Sequence, residues 1–393
     1  MELLEPRLLL SAAGGISAVA FQNLSGDADE VRIEYLLPEL DLTQVGTDAD
    51  GDALYEASMA GAQQSGLAGQ AVLPVVPANV VVPYGYRVAD VSVLGGDLVE
   101  LGETFSLQTT GTLVPGWSGS DMPEEIDIAD PADVPTASAG GLFDVVGTFG
   151  QRGVDVLTVR LNPVQYAAGS QLVSYYQSME LRVQLEAVDP GRPDVRYRQD
   201  AYRSLDDEVV NPGALASYAA AESAWPSHPT VLGVCDPGES YDYVIITTQS
   251  FANSSADYNL QTFQAHKQSQ GLTTTIVTIE EILSEYSGTD DAEKMRNFVI
   301  DAYNNWETDF VLLGGDTNVL PYRGLYVYAA GYTTDAPSDM YFQCLDGTYN
   351  SDGDSRWGET TDGPGGSDVD LRAEVYIGRA SASSETEMSN WVY

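Results

Sequence analysis

The chain has 393 residues, 43% of them hydrophobic, and carries 59 acidic against 17 basic side chains. This length suits two or three domains, and the apolar content is sufficient for ordinary cores, which argues against wholesale disorder. The net charge of −42 disfavours nucleic-acid partners and anionic membrane surfaces, because like charges repel. No apolar run is long enough to predict a membrane span.

The N-terminal segment MELLEPRLLLSAAGG is a poor secretory signal, because its apolar core is short and a glutamate precedes the arginine. Glu5, Pro6, Arg7 and the leucines after them resemble the LEPR-x-LL segment found at the start of large exported bacterial surface proteins. This resemblance predicts that residues 1–15 are an export segment and that the protein is secreted or lies on the cell surface.

From about Ile16 to Val188 the apolar residues recur with a period of two. In one stretch Val31 and Ile33 alternate with Arg32 and Glu34, and VDVLTVRL and MELRVQL repeat the pattern. Such alternation is typical of half-buried antiparallel strands, and Gly and Pro between them supply turns. We therefore expect a multidomain chain whose residues 16–200 form an N-terminal all-β sandwich.

Two segments are predicted to be connecting chain that lies outside any hydrophobic core. Ser118–Gly141 is rich in Asp, Pro and Ala and is expected to be a mobile acidic loop. Residues 201–240 contain several prolines in a mixed polar composition and are interpreted as a linker. A precursor would be cut there, although an uncut spacer fits the sequence equally well.

Residues 241–393 are predicted to form an α/β domain with a mainly parallel sheet. One helix is expected over Tyr258–Gln270, and a second begins at a capping box of Asp290 and Glu293. The predicted strands are YDYVIITT, TTTIVT, FVLLGGD, SDMYF and EVYIGR. Ligands of such sheets bind beyond the carboxyl ends of the strands, here near the Gly315–Asp316 turn. Phosphate binding is not expected, because both G-x-G-x-x-G and the P-loop lysine are missing.

An acidic loop between the last two predicted strands carries oxygen ligands at alternate positions. Such spacing lets side chains of a tight loop converge on one hard cation, and Ca²⁺ takes six to eight oxygens. The loop is not an EF-hand, because Ser355 and Thr361 stand where that motif has glycine and glutamate. A solvated acidic loop is the alternative. The candidate metal ligands are Asn350, Asp352, Asp354 and Glu359, with Asp362 behind them and Asp346 as a possible extra ligand.

Nucleophilic chemistry by cysteine needs a thiolate with a base nearby. The chain offers Cys235, Cys344, His228 and His266, and no working pair is expected among them. Cys344 lies in the strand-like run MYFQCLDG and is predicted to be buried and inert, whereas His266 is predicted to be solvated. A disulfide between the two cysteines is the less favoured alternative. Serine elbows and paired histidine ligands are also missing.

Together, YDYVIITT, EKMRNF, FVLLGGD, SDMYF, CLDG…DGD..WGE and EVYIGR resemble the first half of a gingipain-type cysteine peptidase domain. Pro163 and Tyr166 fill a Pro-x-x-Tyr element that resembles the closing hairpin of that family's propeptide. The resemblance implies a propeptide-like domain at 16–200, with an intramolecular contact to the N-terminal part of a caspase-like α/β peptidase domain at 241–393. It also implies structural calcium and protein or peptide substrates.

The resemblance further implies cysteine endopeptidase activity for the full-length parent, whose catalytic His and Cys would follow Tyr393. In that family the propeptide restrains the enzyme until it is cleaved. The fragment itself is therefore expected to be inactive, with no catalytic residue among its 393 positions. One alternative is a non-catalytic, calcium-binding extracellular adhesion protein on the same scaffold. Another is a prodomain that inhibits a related peptidase in trans.

Overall fold

The structure is a computed structural model, and it describes residues 7–11, 15–24, 29–47, 51–66, 70–110, 141–188, 197–198, 205–222, 234–236, 238–329, 332–363 and 368–393. The predicted acidic loop at Ser118–Gly141 lies outside these residues except for Gly141. Of the predicted export segment, only 7–11 and 15 are described, and 7–11 form a strand.

The first half is built from β-strands, as the period-two pattern predicts. Its strands are β1 Arg7–Ser11, β2 Ser17–Asn23, β3 Glu30–Leu36, β4 Leu40–Thr47, β5 Ala53–Met59, β6 Gln63–Ser65, β7 Leu73–Val81, β8 Tyr86–Gly95, β9 Leu98–Thr104, β10 Ser106–Leu107, β11 Phe143–Gln151, β12 Val154–Leu161, β13 Val164–Ala167, β14 Leu172–Tyr176 and β15 Ser178–Ala187. They form sheets in the orders β1-β2-β3-β15-β8, β10-β5-β4, β11-β12-β7-β6 and β13-β14-β9. All pairs are antiparallel except β10 with β5.

Strand β15 shows why the alternation matters. Met179, Leu181 and Val183 are buried, and the residues between them are only partly so. Successive side chains of a strand point to opposite faces, so one face of the sheet contributes to the core and the other meets solvent. The core of the first half is therefore assembled from alternate residues of many short strands.

Part of the segment predicted as a linker packs against the first half. Two 3-10 helices, Leu205–Asp207 and Pro212–Ala214, lead into α1, Leu215–Glu222. The Tyr218 hydroxyl, which is buried, donates to the Val82 carbonyl at 2.7 Å and accepts from the Asp155 amide at 3.0 Å. These contacts complete backbone hydrogen bonding that the strand ends leave open, so residues 205–222 are not free chain.

The second half contains a parallel sheet with helices around it. Its elements are β16 Tyr243–Thr247, α2 Gln249–Ala252, α3 Leu260–Ser269, β17 Thr274–Thr278, α4 Ile279–Glu285, α5 Asp291–Trp306, β18 Phe310–Gly314, β19 Arg323–Ala329, β20 Tyr332–Ser338, α6 Met340–Gln343, β21 Tyr376–Ala380 and α7 Glu385–Val392. The sheet has the order β17-β16-β18-β21, and every pair in it is parallel. Strands β19 and β20 form a separate antiparallel hairpin.

Both faces of the parallel sheet are covered, as expected for strands with continuous apolar runs. In β16, Val244 and Ile246 belong to one apolar cluster and Ile245 to another on the opposite face. Helix α5 covers the first face with side chains that the helical spacing predicted to be buried. These are Met295, Phe298, Val299, Ala302, Tyr303 and Trp306.

Two local predictions need correction. SDMYF was expected to be a strand, but Ser338 ends β20 and the next residues form α6. One helical turn buries both Tyr341 and Phe342 in the same core, whereas adjacent side chains of a strand would point to opposite faces. The capping box at α5 is only half formed. The Asp290 side chain accepts from the Glu293 amide, but the Glu293 carboxylate binds Thr289 instead of the Asp290 amide.

Candidate functional site

The two halves of the chain meet through polar groups at the amino-terminal edge of the parallel sheet. Asp309 directly precedes β18, and Glu374 lies two residues before β21. Strand ends of this kind leave backbone and side-chain polar groups that need partners. Here the first half supplies them through the β11–β12 hairpin and through Arg198.

The tip of the β11–β12 hairpin is a two-residue turn between Gln151 and Val154. Its central residues, Arg152 and Gly153, have φ values of 55° and 74°. Both lie in the left-handed region, as a type I′ turn requires, where Asn or Gly is favoured over a residue such as arginine. Arg152 is nevertheless only 2% exposed. A strained and buried arginine at a turn tip indicates that its surroundings hold it there.

Three carboxylates of the second half face this tip. Asp346, Asp370 and Glu374 have ligand oxygens that all lie within 4.8 Å of one another. Glu374, which is 1% exposed, accepts hydrogen bonds from the Arg152 amide at 3.0 Å and the Leu345 amide at 2.6 Å. A Cβ placed on Gly150 would overlap the Asp346 carboxylate, so the hairpin approaches this cluster closely.

Burial dominates the electrostatics of these carboxylates. Desolvation, followed by the neighbouring charge of Asp346, raises the pKa of Asp370 to about 8. Desolvation and the charges of Asp370 and Asp346 raise the pKa of Glu374 well above its ordinary value. Like charges in a low-dielectric site disfavour ionisation, so this cluster retains protons under conditions where exposed carboxylates lose them.

Two further arginines connect the halves. The Arg372 guanidinium donates to Gln151 and Asn79 at 2.7 Å and to the Thr158 hydroxyl at 2.8 Å, all in the first half. Arg198 makes the reverse connection: its guanidinium lies 3.1 Å from the Asp309 carboxylate.

Arg198 also donates to the Thr308 carbonyl at 3.1 Å, and its guanidinium stacks on the Tyr303 ring at 4.9 Å. Desolvation raises the pKa of Asp309, and the charges of Arg198 and Arg152 oppose that rise. The Arg198 amide in turn donates to the Arg152 carbonyl, so the two arginines are held together.

The acidic loop brings together three of its predicted ligands. The carboxylates of Asp352, Asp354 and Glu359 offer oxygens within 4.8 Å of one another, and the first two are exposed. Asn350 lies beside them, but its side-chain oxygen accepts from the Asp354 amide at 3.0 Å. Asp346 lies in the buried cluster with Asp370 and Glu374 and not in this loop.

Asp362 has a different role from a loop ligand. It is fully buried, and its two carboxylate oxygens accept from the backbone amides of Ser351, Gly358 and Glu359. A carboxylate that accepts several backbone hydrogen bonds organises a loop without needing a cation. The loop around Asp352 and Asp354 is therefore held in place by hydrogen bonds from its own backbone to Asp362.

Both cysteines are free thiols, so the disulfide alternative is wrong. Cys235 and Cys344 are buried, and desolvation raises the pKa of each thiol far above its ordinary value. Cys344 follows α6 instead of lying in a strand, but its predicted burial is confirmed. His266 is exposed, as predicted, and His228 lies outside the described residues. Within the part of the chain that the structure describes, no cysteine is paired with a histidine.

The carboxyl edge of the sheet lies at the opposite ends of the strands. Strand β18 ends at Gly314, and Gly315 and Asp316 follow it. Hydrogen bonds from the Thr317 amide and the Ser383 hydroxyl lower the pKa of Asp316. Arg379 fastens this edge: its guanidinium pairs with Asp339 at 2.7 Å and donates to the Gly315 and Pro321 carbonyls. Asp339 therefore has a structural role at this edge.

The model of Peptidase family C25 matches residues 236–393. Residues 236–393, which match this family model, are called the C25 segment below. The gingipain-type resemblance is thereby confirmed, and the match favours the peptidase interpretation over the adhesion alternative. No helix in the described part of this C25 segment or of the first half is long and apolar enough to cross a membrane.

Two solved structures from Porphyromonas gingivalis are similar to the chain. One is a complex of RgpB pro- and mature domains, 14% identical, covering 53% of this chain and 98% of that chain with a TM-score of 0.34. The other concerns the zymogenic latency of gingipain K, 21% identical, covering 44% of this chain and 100% of that chain with a TM-score of 0.28. No curated protein matches the chain.

Sequence reasoning missed the residues that join the C25 segment to the first half. The sequence contains 59 acidic and 17 basic side chains, and nothing in the local sequence distinguishes these four from the others. They are Arg152, Arg372, Asp370 and Glu374. One signal was available: the Arg152–Gly153 pair interrupts a run of apolar alternation and marks a two-residue hairpin turn. Nothing in the sequence indicates that this turn is buried against another part of the chain.

Proposed function

We propose that the chain is a precursor fragment of an exported, gingipain-like cysteine endopeptidase. The observation that carries the proposal is the match of residues 236–393 to peptidase family C25. In this proposal an export segment at 1–15 precedes a β-sandwich propeptide-like domain at 16–200. A linker at 201–240 leads to the N-terminal part of a caspase-like peptidase domain at 241–393.

The proposed reaction is hydrolysis of protein or peptide substrates by acyl transfer. A thiolate attacks the scissile carbonyl, a histidine gives the proton to the leaving amine, and water then hydrolyses the thioester. We assign this dyad to sequence beyond Tyr393. Cys235 and Cys344 are unsuited to the role, since each is buried and has a raised thiol pKa.

The test begins with the coding sequence beyond the codon for Tyr393. If the frame continues with a His-Gly pair and a later cysteine, we expect the longer protein to hydrolyse peptides. Alanine at that cysteine should abolish turnover, and Cys344→Ala, as the matched control, should leave it unchanged. Loss of hydrolysis in Cys344→Ala with retention in the downstream variant would contradict the assignment, as would an inactive, well-folded longer protein.

We also propose that the acidic loop binds a structural Ca²⁺. The support is the convergence of Asp352, Asp354 and Glu359, three carboxylates on a loop that Asp362 already shapes. Hard oxygen donors of this kind suit Ca²⁺. Asn350 and Asp346 are the other ligands that the sequence suggests for this ion. The Asn350 side-chain oxygen accepts a hydrogen bond from the Asp354 amide, and the Asp346 carboxylate lies with Asp370 and Glu374.

A further inference from the structure

An open groove lies at the carboxyl edge of the parallel sheet, on the face that α5 covers. Its volume is about 620 Å³, which is within the range of ligand-binding clefts. One wall is the segment after β18, residues 317–323, and the other is formed by α4 and the start of α5. Ligands of open α/β sheets bind beyond the carboxyl ends of the strands, so this groove is where such a fold is expected to bind a ligand.

The floor of the groove is apolar. Ile279, Ala292 and Leu320 line it and are buried members of the apolar cluster that α5 covers. Leu283 packs against this cluster and is only partly buried. Tyr322 also lines the groove and is 42% exposed. An apolar side chain that enters the groove therefore leaves water and gains apolar neighbours on both walls.

The first wall is held in place by hydrogen bonds at both of its ends. The Arg379 guanidinium donates to the Gly315 carbonyl at 3.0 Å and to the Pro321 carbonyl at 2.8 Å. Between these two points the Leu320 amide donates to the Asp316 carbonyl at 2.9 Å, which closes a tight turn. The backbone of this wall is therefore fixed by contacts within the C25 segment.

The second wall is tied to the first through an arginine. The Arg323 guanidinium binds the Asp290 carboxylate at the start of α5 through hydrogen bonds of 2.7 and 2.9 Å. It also lies over the Trp357 and Tyr341 rings, 4.2 and 4.6 Å from their centroids. Walls that are already fixed lose little conformational freedom when a ligand binds, so more of the contact energy is left for affinity.

The rim of the groove is negative. Among the described residues that line it, the cation is Arg323, and its charge is paired with Asp290. Asp291 is exposed, and the Lys294 ammonium lies 4.0 Å from it, at the outer limit of an ion pair. Asp316, at the start of the first wall, adds a further carboxylate. With a net charge of −42 on the whole chain, the groove attracts cationic ligands and repels anionic ones.

We propose that this groove is a docking site for a polypeptide segment in which an apolar side chain is flanked by lysine or arginine. The apolar side chain occupies the floor between Leu283 and Tyr322, and the flanking cations pair with Asp291 and Asp316. Because the site contains neither a catalytic cysteine nor a histidine, docking there is independent of the peptidase activity proposed above.

The test measures the fluorescence anisotropy of a labelled hexapeptide, GKLFKG, titrated with the full chain at physiological ionic strength. Two matched peptides separate the parts of the recognition. GELFEG keeps the apolar pair and reverses the charge, whereas GKSSKG keeps the charge and removes the apolar pair. We expect saturable binding of GKLFKG and binding of each matched peptide that is weaker by about tenfold or more.

Variants of the chain locate the bound peptide. Tyr322→Ala should weaken GKLFKG binding about fivefold, because an apolar contact is lost, and Asp291→Asn about threefold, because an exposed charge pair is lost. Leu371→Ala, at a position 55% exposed before β21, and Asp257→Asn, at an exposed position between α2 and α3, are the matched controls and should bind as the wild type does. Melting curves show that each variant is folded. If Tyr322→Ala is not, Asn318→Arg replaces it, because a cation at this exposed lining position should repel the peptide.

Three results would overturn the proposal. The first is the lack of saturable GKLFKG binding. The second is equal binding of a matched peptide, since equal binding of GKSSKG reduces the effect to net charge and equal binding of GELFEG reduces it to apolar contact. The third is an unchanged affinity in both Tyr322→Ala and Asp291→Asn, which would place the peptide elsewhere on the chain. Binding is measured without turnover, so a failure of the proposed peptidase activity is read separately from a failure of docking.

Discussion

The Arg152 amide donates a 3.0 Å hydrogen bond to the Glu374 carboxylate across 222 positions of sequence. The other oxygen of that carboxylate accepts from Leu345, so one buried side chain connects the hairpin of the first half, the loop after α6 and the start of β21. No local pattern in either segment requires this contact. It exists because the sheet edge and the hairpin tip each carry polar groups that water does not reach.

The protonation of the buried cluster gives a pH dependence with a defined sign. Asp370 has a pKa of about 8 in the folded protein, whereas an unfolded aspartate has a pKa of about 4. Between these values the folded state keeps a proton that the unfolded state has lost. The free energy of unfolding should therefore fall as the pH rises from about 4 to about 8, by up to about 1.4 kcal/mol per pH unit for this group.

Asp370→Asn tests this prediction, because it keeps the shape of the side chain and removes the ionisation. Urea unfolding at several pH values should show a flatter profile for this variant than for the wild type. Asp335→Asn, an exposed aspartate on β20, is the control and should follow the wild-type profile. Parallel profiles for the wild type and Asp370→Asn would contradict the prediction.

Calcium should stabilise the C25 segment if the acidic loop binds it. A ligand that binds only the folded state adds about 2.7 kcal/mol at a concentration one hundred times its Kd. The melting temperature should rise with added Ca²⁺, and Asp352→Ala combined with Asp354→Ala should abolish the rise. Glu100→Ala with Glu103→Ala removes two exposed carboxylates elsewhere and should preserve it. An unchanged wild-type melting curve would refute the site.

The Asp290 carboxylate at the start of α5 both caps the helix and pairs with an arginine. Asp290 caps the helix by accepting from the Glu293 amide, and it binds the buried Arg323 guanidinium through two hydrogen bonds of 2.7 and 2.9 Å. Asp290→Asn should retain the cap and lose the charge pairing, whereas Asp290→Ala should lose both. We expect the alanine variant to be less stable than the asparagine variant by about 1 kcal/mol.

Both variants should unfold more easily than the wild type, because Arg323 is left with a buried charge that has lost its carboxylate. Chemical denaturation measures the difference. Asp291→Ala is the control at the neighbouring position, where an exposed carboxylate stands 4.0 Å from Lys294 and should contribute within about 0.5 kcal/mol. Equal stability of the two Asp290 variants would contradict the prediction that the Asp290 cap stabilises α5.

The two thiols should be unreactive in the folded protein. Burial raises the pKa of Cys235 and of Cys344, so the reactive thiolate is scarce, and the surrounding side chains exclude reagents. Iodoacetamide should label neither residue in native buffer and both in urea, as read by intact mass. Rapid native labelling of Cys344 would reopen its assignment as an inert core residue.

The sequence predicted elements whose signal is local and repeated. Alternation identified β15, and helical spacing identified the buried face of α5, because each pattern recurs over many residues. It failed at SDMYF, where four or five residues fit a strand and a helical turn equally well. The two aromatic residues of that run enter one core, and only the packing around them decides for the helix.

Some of the candidate site residues could be grouped correctly from the sequence, and others could not. Asp352, Asp354 and Glu359 lie close in sequence, so their spacing was enough to predict that they converge. Asp346 was assigned to the same loop, yet the structure places it with Asp370 and Glu374. Its neighbours there come from a segment more than twenty residues further along the chain, and the hairpin of the first half packs beside them.

By itself the sequence determined the β-rich first half, the parallel α/β second half and the resemblance to the gingipain-type peptidase domain. These properties follow from period, composition and short motifs, which act over a few residues. The tertiary structure alone decided where the halves touch, which carboxylates are gathered beside the hairpin tip and why Arg152 tolerates a strained turn. Those properties depend on desolvation and on partners hundreds of residues apart, and neither is encoded in any local stretch of the chain.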